Sequence, residues 1–415
     1  MTLTGWNLKK TTLLHDNTEL GTAWLAGDFL NRVPFAVDNL PESVERPPND
    51  SIKSAQSLTL PVIVNGRIGR TGERDVFKFE GRAGQKIVAE VFARRLDSPL
   101  DSNLRLTDAG GKQIAFNDDC EDKACGLETH HADSCIEATL PADGNYFIEL
   151  ADTQGRGGAE FAYRLRVSEP QPDFALRIVP SSLSLRAGMS VPVTIFALRK
   201  EGFTNAISLN LKDAPPGFSL SGASVGVNQE KAQFTLKAPS QPTDDPASIS
   251  IEGNALIDGK RVTHDAEPAE DMMQAFIYRH LVPSQELAVS VNGMRRPFLA
   301  STFKILSPTP VKISPGGTAR VRVSAPPGNL SDRFNLKLTG APEGISLVNT
   351  RPVSTGLELV FASDKEKVKP GSAGNLICEI VPQFKGQNEK QKKAVNQVRR
   401  DAAATLPAIS YIVTE

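Results

Sequence analysis

Residues 66–106 read GRIGRTGERDVFKFEGRAGQKIVAEVFARRLDSPLDSNLRL. Val76, Phe77 and Phe79, then Ile87, Ala89 and Val91, then Leu104 and Leu106 set apolar side chains at near-alternate positions. Period-two alternation over short runs predicts half-buried strands. Turn residues separate the runs. Asp108-Ala-Gly-Gly111 is one such break, and Asp143-Gly144 parts Ile136–Leu140 from Tyr146–Leu150. Asp-Gly is a strong hairpin signal because the turn needs positive φ. Extended to Asn49–Val167, the pattern predicts a compact antiparallel β-sandwich or jelly roll.

Four features of that stretch fall in a characteristic order. They are Pro48-Asn49-Asp50, Gly66-Arg-Ile followed by Asp75-Val-Phe-Lys-Phe79, Gly84-Gln85 before a strand, and Leu140-Pro-Ala-Asp-Gly-Asn-Tyr146. With them the stretch, about a third of the chain, resembles a bacterial pre-peptidase C-terminal domain. The resemblance implies a non-catalytic β-sandwich, appended to secreted proteases and other large extracellular proteins, with an accessory or binding role. Collagen-binding domains of collagenases are relatives. Their calcium ligands imply a matching set here of Glu45, Asn49 and Asp75. This sequence departs from them at Pro47, where they carry a second Glu, and near Gly72, where another Asp is expected.

The chain has 415 residues, which predicts two to three domains. Lys and Arg number 47 against 48 Asp and Glu, so no global field attracts nucleic acid or an anionic membrane. Aromatics make up 6%, too few for extended stacking platforms. No run of about 20 apolar residues predicts a membrane span. Met1–Lys10 lacks the apolar core of a signal peptide, yet MTLTGWNLKKTTLL reads like the interior of a β-rich chain. The expectation is a piece of a longer exported protein, placed outside the cell, in a periplasm or at the cell surface.

Organisation follows the linkers and a repeat. Residues 1–45 hold Ala23-Trp-Leu-Ala26 and Val33-Pro-Phe-Ala-Val37, read as a truncated β-rich segment, then Pro41, Pro47 and Pro48 mark a linker. The first sandwich takes 46–170, and Glu169-Pro-Gln-Pro-Asp173 is a second linker. Beyond it Arg177-Ile-Val-Pro180 matches Lys304-Ile-Leu-Ser307, and Leu209–Leu220 matches Leu336–Leu347. Both matches lie 127 positions apart, and one offset shared by two motifs marks a duplicated domain. The repeat resembles immunoglobulin-like modules of bacterial surface proteins, at 174–302 and 303–415. Each copy carries Ala-Pro-x-Gly, a turn whose Gly supplies an unusual φ. Residues 266–282 predict a helical insertion, with acidic residues at its start and an apolar stripe of Met272, Met273, Phe276, Ile277 and Leu281. The fold class expected is therefore all-β: tandem β-sandwich domains, jelly-roll-like then Ig-like, with one short helix. Residues 386–400 are basic and read as a solvated hairpin excursion.

Candidate chemistry gathers in one loop region. Asp97, Asp101, Asn117, Asp118, Asp119, Asp122 and Asp133 are oxygen donors at strand ends. Calcium takes six to eight such ligands, though no EF-hand spacing is present and the same residues suit a solvated acidic turn. Cys120, Cys125 and Cys135 share that loop, while Cys378 shares the alternating face of Leu376 and Ile380 and is expected to be a buried thiol. Any two loop cysteines can pair. A Cys120–Cys135 bridge would stabilise by about 3 kcal/mol in the chain-entropy model. With His130 the three also make a Cys3His set on paper, at spacings that match no common zinc finger. His130-His131-Ala-Asp133-Ser134 is adjacent in sequence, whereas a triad needs members that converge from distant positions. Gly222-Ala-Ser-Val-Gly226 fits G-x-S-x-G in letters only, because its surroundings are all β and the nucleophile elbow needs strand, turn and helix. No enzyme is expected. The functional expectation is an interaction and spacer array, calcium-stabilised if the acidic loop binds the ion. Its partner is an extracellular polymer or protein, with no nucleic acid and no membrane insertion. The alternative is the C-terminal accessory region of a secreted hydrolase, binding substrate or aiding export.

Overall fold

In a computed structural model of the chain, the described residues are 2–3, 11–12, 21–27, 29–121, 130–273, 279–293, 303–325, 334–382 and 404–415. They divide into two compact units, Met1–Gln171 and Pro172–Glu415.

The first unit contains two five-stranded sheets. One runs Gln113–Asn117, Ser102–Asp108, Gly144–Asp152, Arg74–Gly81, Gln56–Ser57 in spatial order. The other runs Cys135–Thr139, Lys86–Phe92, Ala162–Ser168, Val62–Arg67, Glu42–Val44. All neighbours are antiparallel except the short edges Glu42–Val44 and Gln56–Ser57, which join in parallel. Phe77, Phe79, Ile87, Ala89, Val91, Leu104 and Leu106 meet in one core, as their alternation requires. Val76 and Val88 are buried too, so those strands are covered on both faces at these positions rather than half-exposed. The Asp143-Gly144 turn is pinned by Asp143 accepting the Ala83 N–H at 2.8 Å. Tyr146 closes the same corner: its hydroxyl donates to the Ala142 carbonyl at 2.7 Å, and its ring stacks on Phe79. Upstream, Gly21–Gly27 and Phe29–Val37 form a hairpin that pairs Trp24 with Pro34.

The second unit holds two cores and one repeated pairing scheme. Phe174, Ile195, Leu209, Phe234 and Ile251 belong to the first core; Val321, Phe361, Leu376 and Cys378 belong to the second. Ile207–Lys212 pairs with Ala247–Ile257, and Phe334–Thr339, at the same offset, pairs with Ala373–Pro382. Ser182–Arg186 runs parallel to Leu287–Asn292, as Val311–Ile313 does to Ile409–Val413. The Ala-Pro-x-Gly glycines both adopt left-handed backbone, Gly217 at φ 95° and Gly344 at φ 77°. A continuous sheet links the halves, with Ser190 paired to Thr405.

The helix expected over 266–282 does not form. Lys260–Met273 is a strand, and Arg279–Pro283 returns alongside it; Phe276 and Ile277 lie outside the described residues. The strand pairs in parallel with Asp173–Val179, setting Leu176 against Ala266 and Ile178 against Pro268. Pro268 lacks the N–H that a helix interior needs. Small Ala266 and Ala269 bury instead, Met272 and Met273 stay exposed, and Glu267 and Glu270 find partners in Arg177 and Ser181. Long-range pairing outweighs a local stripe whose members do not share one face. Among the described residues helical backbone is confined to the 3-10 turns Ile52–Ser54 and Arg94–Leu96. The basic stretch 386–400 lies outside them.

Candidate functional site

A groove of about 600 Å³ opens on the first unit. Its floor comes from Val62–Arg67 and Ala162–Ser168 through Asn65, Arg67, Tyr163 and Arg164, and Phe92, Leu96 and Phe35 add apolar walls. The ionic groups along this sheet are fixed. The Arg164 guanidinium holds Glu42 at 2.7 Å and Asn65 at 3.1 Å. Glu90 lies between Arg166 and Arg95, both at 2.9 Å. The Arg95 guanidinium also stacks over the Phe92 ring, 4.0 Å from its centroid.

Beside the groove sits a buried carboxylate. Tyr163 donates to Asp75 Oδ2 at 2.6 Å, while Asp75 Oδ1 and the neighbouring Asn49 Nδ2 are buried without partners. Tyr163 pairs with Gly66 across the sheet, and a Cβ on Gly66 would lie 2.3 Å from the Tyr163 ring. Gly66 thus gives Tyr163 the room to reach Asp75. Burial, together with the Glu45, Glu73 and Asp50 carboxylates, pushes the Asp75 carboxyl up to about 7 against the pull of the Tyr163 hydroxyl. Glu45 is also raised, by burial first, although it accepts the Arg67 N–H at 3.0 Å. Of the set Glu45, Asn49 and Asp75, the structure sets Asn49 beside the Asp75 strand, its carbonyl accepting from Val76 N–H, and places the Glu45 carboxylate near enough to raise Asp75. Among the described residues no three His, Cys, Asp or Glu side chains converge on one ion position.

The acidic loop separates into distinct roles. Asp133 is fully buried and caps the turn at Arg94–Leu96: its carboxylate accepts from the N–H groups of Ala93, Arg94 and Arg95 and from the Arg95 guanidinium. Asn117 donates to the Asp119 carbonyl and accepts from Cys135 N–H. Asp97 is exposed and left-handed at φ 63°, and Asp118 is exposed. Asp101 is raised by burial and by the Asp119 and Asp152 carboxylates. Asp152 is a further anchor that the sequence does not mark. Burial pushes it up, but the N–H groups of Arg156 and Asp101 and the Arg156 guanidinium outweigh that and hold it low. Asp122 and Cys125 lie outside the described residues. Cys120 and Cys135 are not joined by a disulfide but their side chains hydrogen-bond, and Cys378 is fully buried. Cys120 pairs with His131 in a short ladder, and Ser224 stands on a two-residue strand opposite Ser208. Tyr163 and Arg164 were also unmarked. The usable signal was Gly66 inside a strand pattern, which points to a close approach by a neighbour.

No protein-family model matches the chain. It is similar to a probable subtilase-type serine protease of Deinococcus radiodurans, 37% identical over 107 residues, covering 25% of this chain and 14% of that protein. The chain therefore spans a small part of the length of this curated relative. Among solved structures it is similar to the pre-peptidase C-terminal domain of a collagenase from Bacillus anthracis. That likeness has 14% identity and a TM-score of 0.21, over 32% of this chain and 100% of that domain. Asn49–Val167 itself folds as the two-sheet sandwich that its alternation predicts.

Proposed function

We propose that the chain is a non-catalytic accessory region of a secreted protease. The first sandwich holds an extracellular polymer or protein at its groove, and the tandem second unit acts as a spacer. The observation that carries the protease association is the 37% identity to a subtilase-type protease. The groove supports the binding role, because rigid sandwiches present loops and sheet rims for recognition. Among the described residues no helix is long and apolar enough to cross a membrane. Calcium belongs to this proposal as a loop stabiliser: Asp97, Asp101 and Asp118 are the residues that would take it, Asp133 and Asn117 being committed elsewhere. The test is co-sedimentation of residues 1–415 with insoluble collagen, cellulose, chitin, peptidoglycan and sulfated polysaccharide, each with Ca²⁺ or EDTA. Saturable binding to one polymer supports the role, and its loss in EDTA supports calcium. Binding to none of them, or protease activity that survives in the purified chain, would overturn it.

A further inference from the structure

The structure assigns Cys120 and Cys135, which flank the acidic loop, as a disulfide pair. The backbone already holds both ends of that loop together. Cys120 N–H donates to the Asp133 carbonyl at 3.1 Å, and Cys135 N–H donates to Asn117 Oδ1 at 2.8 Å. Asn117 reaches back through Nδ2 to the Asp119 carbonyl at 2.9 Å. Just past Asp133, the Ser134 N–H and hydroxyl both bond the Ser102 hydroxyl. Between these fixed ends the two thiols are in hydrogen-bonding contact and only partly buried, so an oxidant reaches them without unfolding. Cys378 is fully buried in a core of the second unit and is sealed from the same reagent.

The chemistry is thiol–disulfide exchange with a low-molecular-weight disulfide such as oxidised glutathione. Either thiol can start the exchange, which with Cys120 first runs through its thiolate. The Cys120 thiolate attacks one glutathione sulfur and releases the other glutathione as a thiolate. Cys135 then gives up its proton and attacks the Cys120 sulfur of the mixed disulfide, releasing the second glutathione. Two protein thiols and one glutathione disulfide become one protein disulfide and two glutathione thiols. The bond would join the two described ends of the loop, and its state would follow the redox poise of its surroundings.

The test uses residues 1–415 equilibrated in glutathione buffers of graded ratio, quenched with an alkylating agent, digested without reduction and mapped by mass spectrometry. The expected result is one linked peptide joining Cys120 to Cys135, two hydrogens lighter than the reduced pair, with Cys125 alkylated. Cys378 is alkylated only after denaturation. C125S should give the same link at the same buffer ratio, and oxidation should raise the Tm of the wild type and of C125S by a few degrees while leaving C120S unmoved. A dominant link through Cys125, full alkylation of Cys120 and Cys135 in oxidised buffer, or one zinc ion retained per chain by these thiols would overturn the assignment.

Discussion

Asp75 shows how one residue is held in this fold. It is fully buried, and among the described residues its carboxylate is bonded by the Tyr163 hydroxyl on Oδ2 while Oδ1 has no hydrogen-bond partner. A carboxyl raised to about 7 in the folded chain, from about 4 when unfolded, binds its proton more tightly folded. Its contribution to stability is therefore complete below pH 4 and is lost as pH rises towards 7. Glu45 is shifted in the same direction, so its contribution has the same sign. Thermal melting should show stability falling from pH 5 to pH 8, and D75N should flatten that slope. A wild-type slope of the opposite sign would contradict the assignment. Gly66→Ala forces the Tyr163 ring to move and is expected to cost about 1–3 kcal/mol in denaturant unfolding. At the loop, Asp133→Ala strips three backbone N–H groups and a guanidinium of their acceptor. Removing one member of such a buried pair costs about 3–5 kcal/mol, read in the same experiment.

At the scale of elements, the turns test the duplication. Gly217 and Gly344 occupy equivalent left-handed positions, so alanine at either site should cost about 1 kcal/mol or more. Equal losses from G217A and G344A would match a duplicated turn, and a neutral effect at both would remove its physical basis. These elements were legible because their signals are local: alternation in Phe77–Phe79 and Ile87–Val91, and Ala-Pro-x-Gly after a strand. The hairpin spanning Lys260–Pro283 was not legible. Met272 to Leu281 satisfy helical spacing, while the partner that decides the matter, Asp173–Val179, lies far upstream. The site divides in the same way. Asn49 and Asp75 follow from the family pattern, but the reach of Tyr163 over Gly66 depends on cross-strand register, which residue types alone do not encode. Composition cannot tell a carboxylate that caps backbone, as Asp133 does, from one open to a cation.

Over the whole molecule, the second unit is more tightly joined than two beads on a linker. Asn375 Nδ2 donates to the carbonyls of Gly222 and Gln233, both at 2.7 Å, and Asn375 Oδ1 accepts from Ser410 at 2.9 Å. Ala408 N–H donates to the buried Thr235 hydroxyl at 3.0 Å. A Cβ on Gly222 would crowd Asn375 and Ala408, so the seam is close-packed. Calorimetry should find the halves of Pro172–Glu415 unfolding in one transition, and N375A should lower or split it. Two independent transitions in the wild type would show that the seam transmits no stability. A stiff tandem of this kind suits a spacer, which must hold a distance rather than flex. The central claim remains that the first sandwich is a binding module with its groove as the contact surface. The most direct measurement is a binding isotherm of wild type and F92A on the polymer that retains the chain. Phe92 lines the groove outside the core cluster, so its truncation should spare the fold and weaken binding about tenfold, the scale of one interfacial aromatic. Equal affinity of the two proteins, both folded, would contradict the groove as the site.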